Sequence, residues 1–198
     1  MFDWITGLID RLGLAGVAAL MFLENLFPPI PSELVMPMAG FLAQGGSLPL
    51  LGVILSGTLG AVAGAMVWYE LGRALGEARF LWLIDRWGAW ATLSREDAER
   101  ALGWFRRRGG LAVFLCRMVP ALRTLISVPA GVAAMPRLPF LALTTAGSLI
   151  WVCLLTLAGW LLGTRFREVE AWVNPVTTLV VVGLVAVYLW RVLRALWR

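Results

Sequence analysis

The chain alternates uncharged apolar runs with apolar runs that charge and proline interrupt. Three runs carry no charge: Leu48–Tyr69, Leu138–Thr164 and Ala171–Trp190. A helix needs about 20 apolar residues to cross a bilayer, so the pattern predicts three full transmembrane helices. Two further runs are broken. Leu12–Ala43 contains Glu24, Glu33, Pro28, Pro29, Pro31 and Pro37, and Gly109–Met135 contains Arg117, Arg123, Pro120 and Pro129. The half Leu12–Phe27 makes a helix about 24 Å long, against a hydrocarbon core about 30 Å thick. No half of either run is long enough to cross, so both predict re-entrant hairpins that enter the membrane and leave by the same side.

Between the two broken runs the pattern changes. Phe80–Trp90 reads as an interfacial amphipathic helix, with Trp82, Trp87 and Trp90 at the headgroup level. Ser94–Arg95–Glu96–Asp97 fits a capping pattern that opens a second helix running to Arg108. The spacing also repeats. Pro29 and Gly40 are eleven apart, as are Pro120 and Gly131; Pro49 and Gly57 are eight apart, as are Pro139 and Gly147. The expected layout is a single all-α membrane domain. Repeat one covers about residues 10–76, a cytoplasmic amphipathic segment about 77–108, repeat two about 109–164 and a C-terminal transmembrane helix about 171–192. Hairpins entering from opposite sides make this an inverted repeat, an arrangement that places a transport site between broken helices at the midplane.

Composition agrees. The chain is 60% hydrophobic, with a mean hydropathy of +0.82, where soluble domains are about 45–50% apolar. Asp3 and Asp10 stand where a secretory leader needs basic residues, so none is expected. All 17 basic residues are Arg, and His is absent. The absence of His removes His-based metal sites, Ser–His–Asp triads and His-dependent lipid phosphatases. Cys116 and Cys153 lie in apolar runs without CxxC spacing and read as buried thiols. No metal, cofactor, nucleic acid or enzymatic role is expected. Eight Arg fall between Arg73 and Arg108, and the tail adds Arg191, Arg194 and Arg198. The positive-inside rule then places the central segment and C-terminus in the cytoplasm and the N-terminus outside. Arg106–Arg108 reads first as a topology determinant and second as a contact for an anionic lipid or substrate.

Four charges remain inside the apolar runs. Each costs about 2.5–3.5 kcal/mol at a membrane centre; together they approach the whole net stability of an ordinary domain, about 5–15 kcal/mol. Glu24, Glu33, Arg117 and Arg123 must therefore be paired, wet, or both. On a continuous helix Glu24 and Glu33 fall on opposite faces, and Arg117 and Arg123 also diverge. The hairpin-breaking prolines Pro28, Pro29, Pro31 and Pro120 change that, because a helix cannot continue through them. Irregular backbone at this depth is tolerated where it lines a cavity. One reading is structural, with two Glu–Arg pairs stapling the hairpins. The other is an amphiphile site: converging guanidiniums suit a phosphate headgroup, and the carboxylates carry protons or gate the arginines.

The segments ENLFPPIPSE (24–33), GAVAGAMVWYELGR (60–73) and FLCRMVPALRTLISVPAGVAAM (114–135) closely resemble the DedA family of bacterial membrane proteins, also called the VTT-domain or SNARE-associated family. The resemblance covers roughly residues 10–165. It implies a multi-pass protein of the bacterial cytoplasmic membrane with two opposed re-entrant hairpins, and a flippase that returns undecaprenyl phosphate to the cytoplasmic leaflet, with proton coupling. A general phospholipid scramblase and a proton-coupled small-ion carrier or antiporter are the alternatives. The family's essential acidic and basic positions fall on Glu24, Glu33, Arg117 and Arg123. Ala65 departs from the family, where many members carry Asp; Glu70, five residues on, is the candidate secondary acid. The oligomeric state stays open, with a homodimer as one option.

Overall fold

In the computed structural model, residues 2–27, 32–87, 94–120 and 122–163 are described. They form seven helices: α1 (Phe2–Leu12), α2 (Leu14–Leu26), α3 (Ser32–Gln44), α4 (Leu50–Trp87), α5 (Arg95–Cys116), α6 (Ser127–Val132) and α7 (Arg137–Leu162). Pro28, Pro29, Pro31, Trp90 and the expected third span with its flanking arginines lie outside the described residues.

Two of the expected spans are present. Leu50–Arg86 and Arg137–Leu162 are long and apolar enough to cross a membrane. On α4, Leu51, Leu55 and Leu59 are exposed at one-turn intervals, a stripe that water would penalise and lipid tails accept. The first span does not end at Tyr69. It continues to Gly76, which adopts φ 68° and ψ 166°, a conformation that glycine reaches without a Cβ clash. The chain bends there and resumes as the amphipathic segment. α5 likewise runs past its expected end at Arg108, bending at that residue (φ −133°, ψ 17°) and continuing to Cys116.

Helix ends follow local chemistry. The Ser94 hydroxyl accepts from Asp97 N at 3.1 Å, and Asp97 Oδ2 accepts from Ser94 N at 3.3 Å, a reciprocal capping box. Arg95 ties the start of α5 to Asp85 at the end of α4. α2 stops at Phe27, whose backbone is extended, as expected of a residue preceding proline. Between α5 and α6 the backbone forms tight turns around Pro120, with Val119 N donating to Cys116 O and Leu122 N to Val119 O.

α2 and α3 each have 13 residues, about 20 Å at 1.5 Å per residue, and they pack against the long helices through glycines. A Cβ at Gly40 would collide with the Thr156 carbonyl, and one at Gly159 with the Pro37 carbonyl. The same contact recurs between α6 and α4, where Gly131 abuts the Tyr69 carbonyl and Gly72 the Val128 carbonyl. In each crossing two positions three apart on the short helix meet two positions three apart on the long helix, in antiparallel order. Each half thus lends its second short helix to the long helix of the other half.

The first short helices repeat too, with a register shift from the sequence reading. Gly60 packs on the Ala18 carbonyl and Met21 Cβ, and Gly147 packs on the Phe114 carbonyl and Arg117 Cβ. Gly60, not Gly57, is therefore the counterpart of Gly147. The one-turn slip arises because Gly57, Gly60 and Gly64 share a helix; the space beside Gly57 belongs to the Met36 side chain of α3. In this register Arg117 occupies the position that Met21 holds in the first half.

Three apolar clusters fill the interior. One gathers Ile5, Ile9, Leu20, Met36, Val53 and Val152; one centres on Tyr69, Phe105, Val113 and Phe140; one joins Leu81 to Ala98, Leu102 and Val132.

Candidate functional site

Three of the four intramembrane charges meet in the interior. Glu24 on α2, Arg117 at the end of α5 and Arg123 in the α5–α6 turns are 3%, 2% and 5% exposed. Arg123 Nη2 donates to Glu24 Oε1 in a buried ion pair. Asn25 Nδ2 donates to the other Glu24 oxygen at 3.2 Å. Arg117 has no acidic partner at bonding distance among the described residues; its Nη2 donates to Ser127 Oγ on α6 at 2.7 Å. The two-pair staple is therefore not what the structure contains: one arginine is paired and the other is not. Glu33 sits in the first turn of α3, partly buried, where the helix dipole favours a carboxylate. It lies within electrostatic range of Glu24.

The scaffold explains how these groups converge. Gly147 on α7 leaves room for Arg117 Cβ, and Gly64 on α4 for Asn25 Cβ. Trp68 Nε1 donates to the Asn25 carbonyl at 2.8 Å, anchoring α2 to α4. Trp151 Nε1 lies 3.4 Å from Ser32 Oγ, where α3 meets α7. The Arg117 guanidinium stands 6.0 Å from the Phe140 ring centroid, within range of a cation–π attraction. Phe140 in turn stacks on Tyr69 with centroids 4.3 Å apart.

Arg117 and Arg123 line one cavity together with Met21, Asn25, Ala61, Ser148, Trp151 and Val152. It is small, with room for about one water-sized body. Arg117 Nε, Arg123 Nε, Glu33 Oε1 and Asn25 Oδ1 are buried without a protein hydrogen-bond partner among the described residues. Such groups cost about 1–3 kcal/mol each when left unsatisfied; the two guanidinium N–H groups call for acceptors and the two oxygens for donors. Among the described residues no group of three His, Cys, Asp or Glu is placed to hold a metal ion.

Glu70 lies elsewhere. It is exposed on α4 and accepts from Arg137 Nε at 2.7 Å and Nη2 at 3.0 Å. Its i,i+3 neighbour, Arg73, donates instead to Tyr69 Oη at 2.8 Å and to the Met135 carbonyl at 3.3 Å. Ala65 is fully buried. Asn25, Ser127 and Phe140 belong to the site and were not apparent from the sequence. Asn25 follows Glu24 directly in an apolar run, the one local signal that could have marked it.

Comparison with known proteins fits this architecture. The VTT domain matches residues 30–161. An "Alkaline phosphatase-like protein" of Lactococcus lactis subsp. lactis is 38% identical, covering 98% of this chain and 91% of the relative. "Undecaprenyl phosphate transporter A" of Staphylococcus aureus is 37% identical over 82% of this chain and 80% of its own. The protein of the same name from Bacillus subtilis is 29% identical over 98% and 92%. No solved structure matches. The domain match and the extent of these identities place the chain in the VTT-domain, or DedA, family of membrane proteins.

Proposed function

We propose that this protein is a flippase that moves a phosphate-headed polyprenyl lipid, undecaprenyl phosphate, between the leaflets of the bacterial cytoplasmic membrane. The observation that carries the reading is Arg117: a buried guanidinium with no carboxylate bonded to it among the described residues. An uncompensated charge in a membrane interior is expensive, and a phosphate monoester arriving between Arg117 and Arg123 removes that cost. A guanidinium fork suits phosphate geometry, and the polyprenyl tail stays in the bilayer throughout.

In this account α2–α3 and the second half of α5 with α6 are re-entrant hairpins. They enter from opposite leaflets of an inverted repeat, with the N-terminus outside and the arginine-rich central segment and C-terminus in the cytoplasm. The narrow cavity is the closed state, and it widens when a hairpin moves against its long helix. Glu24 and Glu33 supply the gate: a proton on Glu24 frees Arg123 for phosphate, and loss of that proton restores the ion pair and expels the headgroup.

The name of the Lactococcus relative raises phosphate hydrolysis as a rival. Hydrolysis by a serine nucleophile needs a base on the hydroxyl. Ser127 Oγ accepts from Arg117, and among the described residues no carboxylate is bonded to it. A transport role asks only that phosphate be held and released.

The test is a proteoliposome assay with undecaprenyl phosphate in one leaflet, following its appearance in the other and the release of inorganic phosphate together. Translocation without phosphate release, lost in Arg117→Lys, is the expected result. Phosphate release that depends on Arg117 overturns the proposal in favour of hydrolysis.

A further inference from the structure

A second cavity, of about 290 Å³, shares no lining residue with the first. One wall is α5 where it bends at Arg108, bringing Arg106, Arg107 and the bare backbone of Gly109 and Gly110 to the opening. The other wall is the loop Ala133–Pro136 between α6 and α7. Ala134 holds a positive φ of 53° there, which a side chain opposes. The loop is nevertheless fixed: Ala134 N donates to Gly131 O at 2.9 Å, and Met135 N to Ala130 O at 3.1 Å. The Met135 carbonyl accepts from both the buried Tyr69 hydroxyl and Arg73.

The charges at this cavity are not balanced. Arg106 is paired with Glu77, and Arg137, just beyond the loop, with Glu70. Arg73 and Arg107 have no ion pair of their own among the described residues. Arg107 has no hydrogen bond there either, although it lines the cavity. A concave wall that presents guanidiniums and backbone, with apolar lining from Phe105 and Pro136, suits an anion carrying a larger body. The volume lies at the lower edge of the range of about 300–1,000 Å³ typical of small-molecule sites.

We propose that this cavity is a second phosphate-binding site, which holds a phosphate monoester on Arg107 with Arg106 beside it. The phosphate comes either from a lipid headgroup at the membrane surface or from solution. The site stands whether or not Arg117 and Arg123 carry lipid, because none of its residues belongs to the first cavity. The two are nonetheless in physical contact: Met135 is bonded to Tyr69, Tyr69 stacks on Phe140, and Phe140 faces Arg117.

The test is calorimetric titration of the full chain in detergent micelles with dioctanoyl phosphatidate, using dioctanoylglycerol and inorganic phosphate as comparisons. Arg107→Gln is expected to weaken phosphatidate binding about ten-fold or more, the effect of one charge-assisted contact. Arg95→Gln, on the same helix but paired with Asp85 and Glu99, leaves binding unchanged. The Arg107 effect persists in an Arg117→Lys background, which separates this site from the first. Competition by inorganic phosphate assigns the site to free phosphate, and its failure to compete assigns the site to a lipid headgroup. The proposal is overturned if phosphatidate does not bind, if Arg107→Gln binds it as tightly as the unaltered chain, if dioctanoylglycerol binds equally well, or if the Arg107 effect vanishes without Arg117.

Discussion

Arg123 and Glu24 lie ninety-nine positions apart in the chain and form a buried ion pair, each side chain less than a tenth exposed. The pair joins the second broken segment to the first across the middle of the molecule. Removing one partner of such a pair leaves an unpaired interior charge and typically costs about 3–5 kcal/mol. Glu24→Ala is therefore expected to lower stability by about 3 kcal/mol or more. Adding Arg123→Met should recover most of that loss. Thermal unfolding of the purified protein in one detergent measures both. A Glu24→Ala variant as stable as the unaltered chain would mean that the pair does not form.

The glycine crossings give a second prediction. The three atoms nearest a Cβ at Gly131 would all be backbone, including Arg73 N at 2.7 Å and Gly72 C at 3.0 Å, and those nearest one at Gly40 would be the backbone of Thr156 and Trp160. Backbone cannot rotate aside as a side chain can. Both Gly131→Ala and Gly40→Ala should destabilise by about 1–3 kcal/mol, the usual cost of overpacking. Gly103→Ala has nothing within 4 Å and should gain up to about 1 kcal/mol from helix propensity. Equal effects at the three positions would contradict the packing described.

Much of this layout was legible in the sequence because membrane burial leaves a coarse signal. Uncharged length marked α7 and the first part of α4, and Ser94 with Asp97 marked the start of α5. The cost of charge in lipid singled out Glu24, Glu33, Arg117 and Arg123 as residues that must find company; the fold pairs Glu24 with Arg123, gives Arg117 a hydroxyl, and leaves Glu33 Oε1 without a protein hydrogen bond among the described residues. Pairing was less legible. Spacing offers Glu70 to Arg73, but the fold brings Arg137 to Glu70 from sixty-seven positions away. α1 was missed although Ile5 and Ile9, one turn apart, are buried, because a run of eleven residues is too short to stand out beside the spans. The repeat register slipped by a turn because glycine spacing alone cannot tell which glycine touches a neighbour.

The capping box makes a pH-dependent prediction outside the membrane. The Ser94 hydroxyl, then its backbone N–H, hold the Asp97 carboxyl below its ordinary value, with Arg100 assisting. A carboxylate depressed on folding adds stability above its unfolded pKa, near 3.9, and loses it as pH falls through the folded value. Ser94→Ala should therefore lower stability at neutral pH, and the gap to the unaltered chain should narrow below about pH 4. Unfolding followed across that range tests it; a gap that widens in acid would contradict the assignment.

Orientation can be read by labelling. With Cys116 and Cys153 replaced, a cysteine at Ser94 should resist an impermeant thiol reagent in intact cells, and one at Asp10, exposed on α1, should react. The opposite pattern would invert the molecule in the membrane and leave its fold intact.

The central claim is that Arg117 and Arg123 read phosphate on a lipid. Undecaprenyl phosphate and undecaprenol share a tail, so competition between them in proteoliposomes isolates the headgroup. Losing charge-assisted contacts costs about 1.5–3 kcal/mol, or about ten- to hundred-fold in affinity. Undecaprenyl phosphate should compete better than undecaprenol by that factor, and the advantage should collapse in Arg117→Lys, which keeps the charge and removes the fork. Equal competition by the two lipids in the unaltered protein would contradict the account.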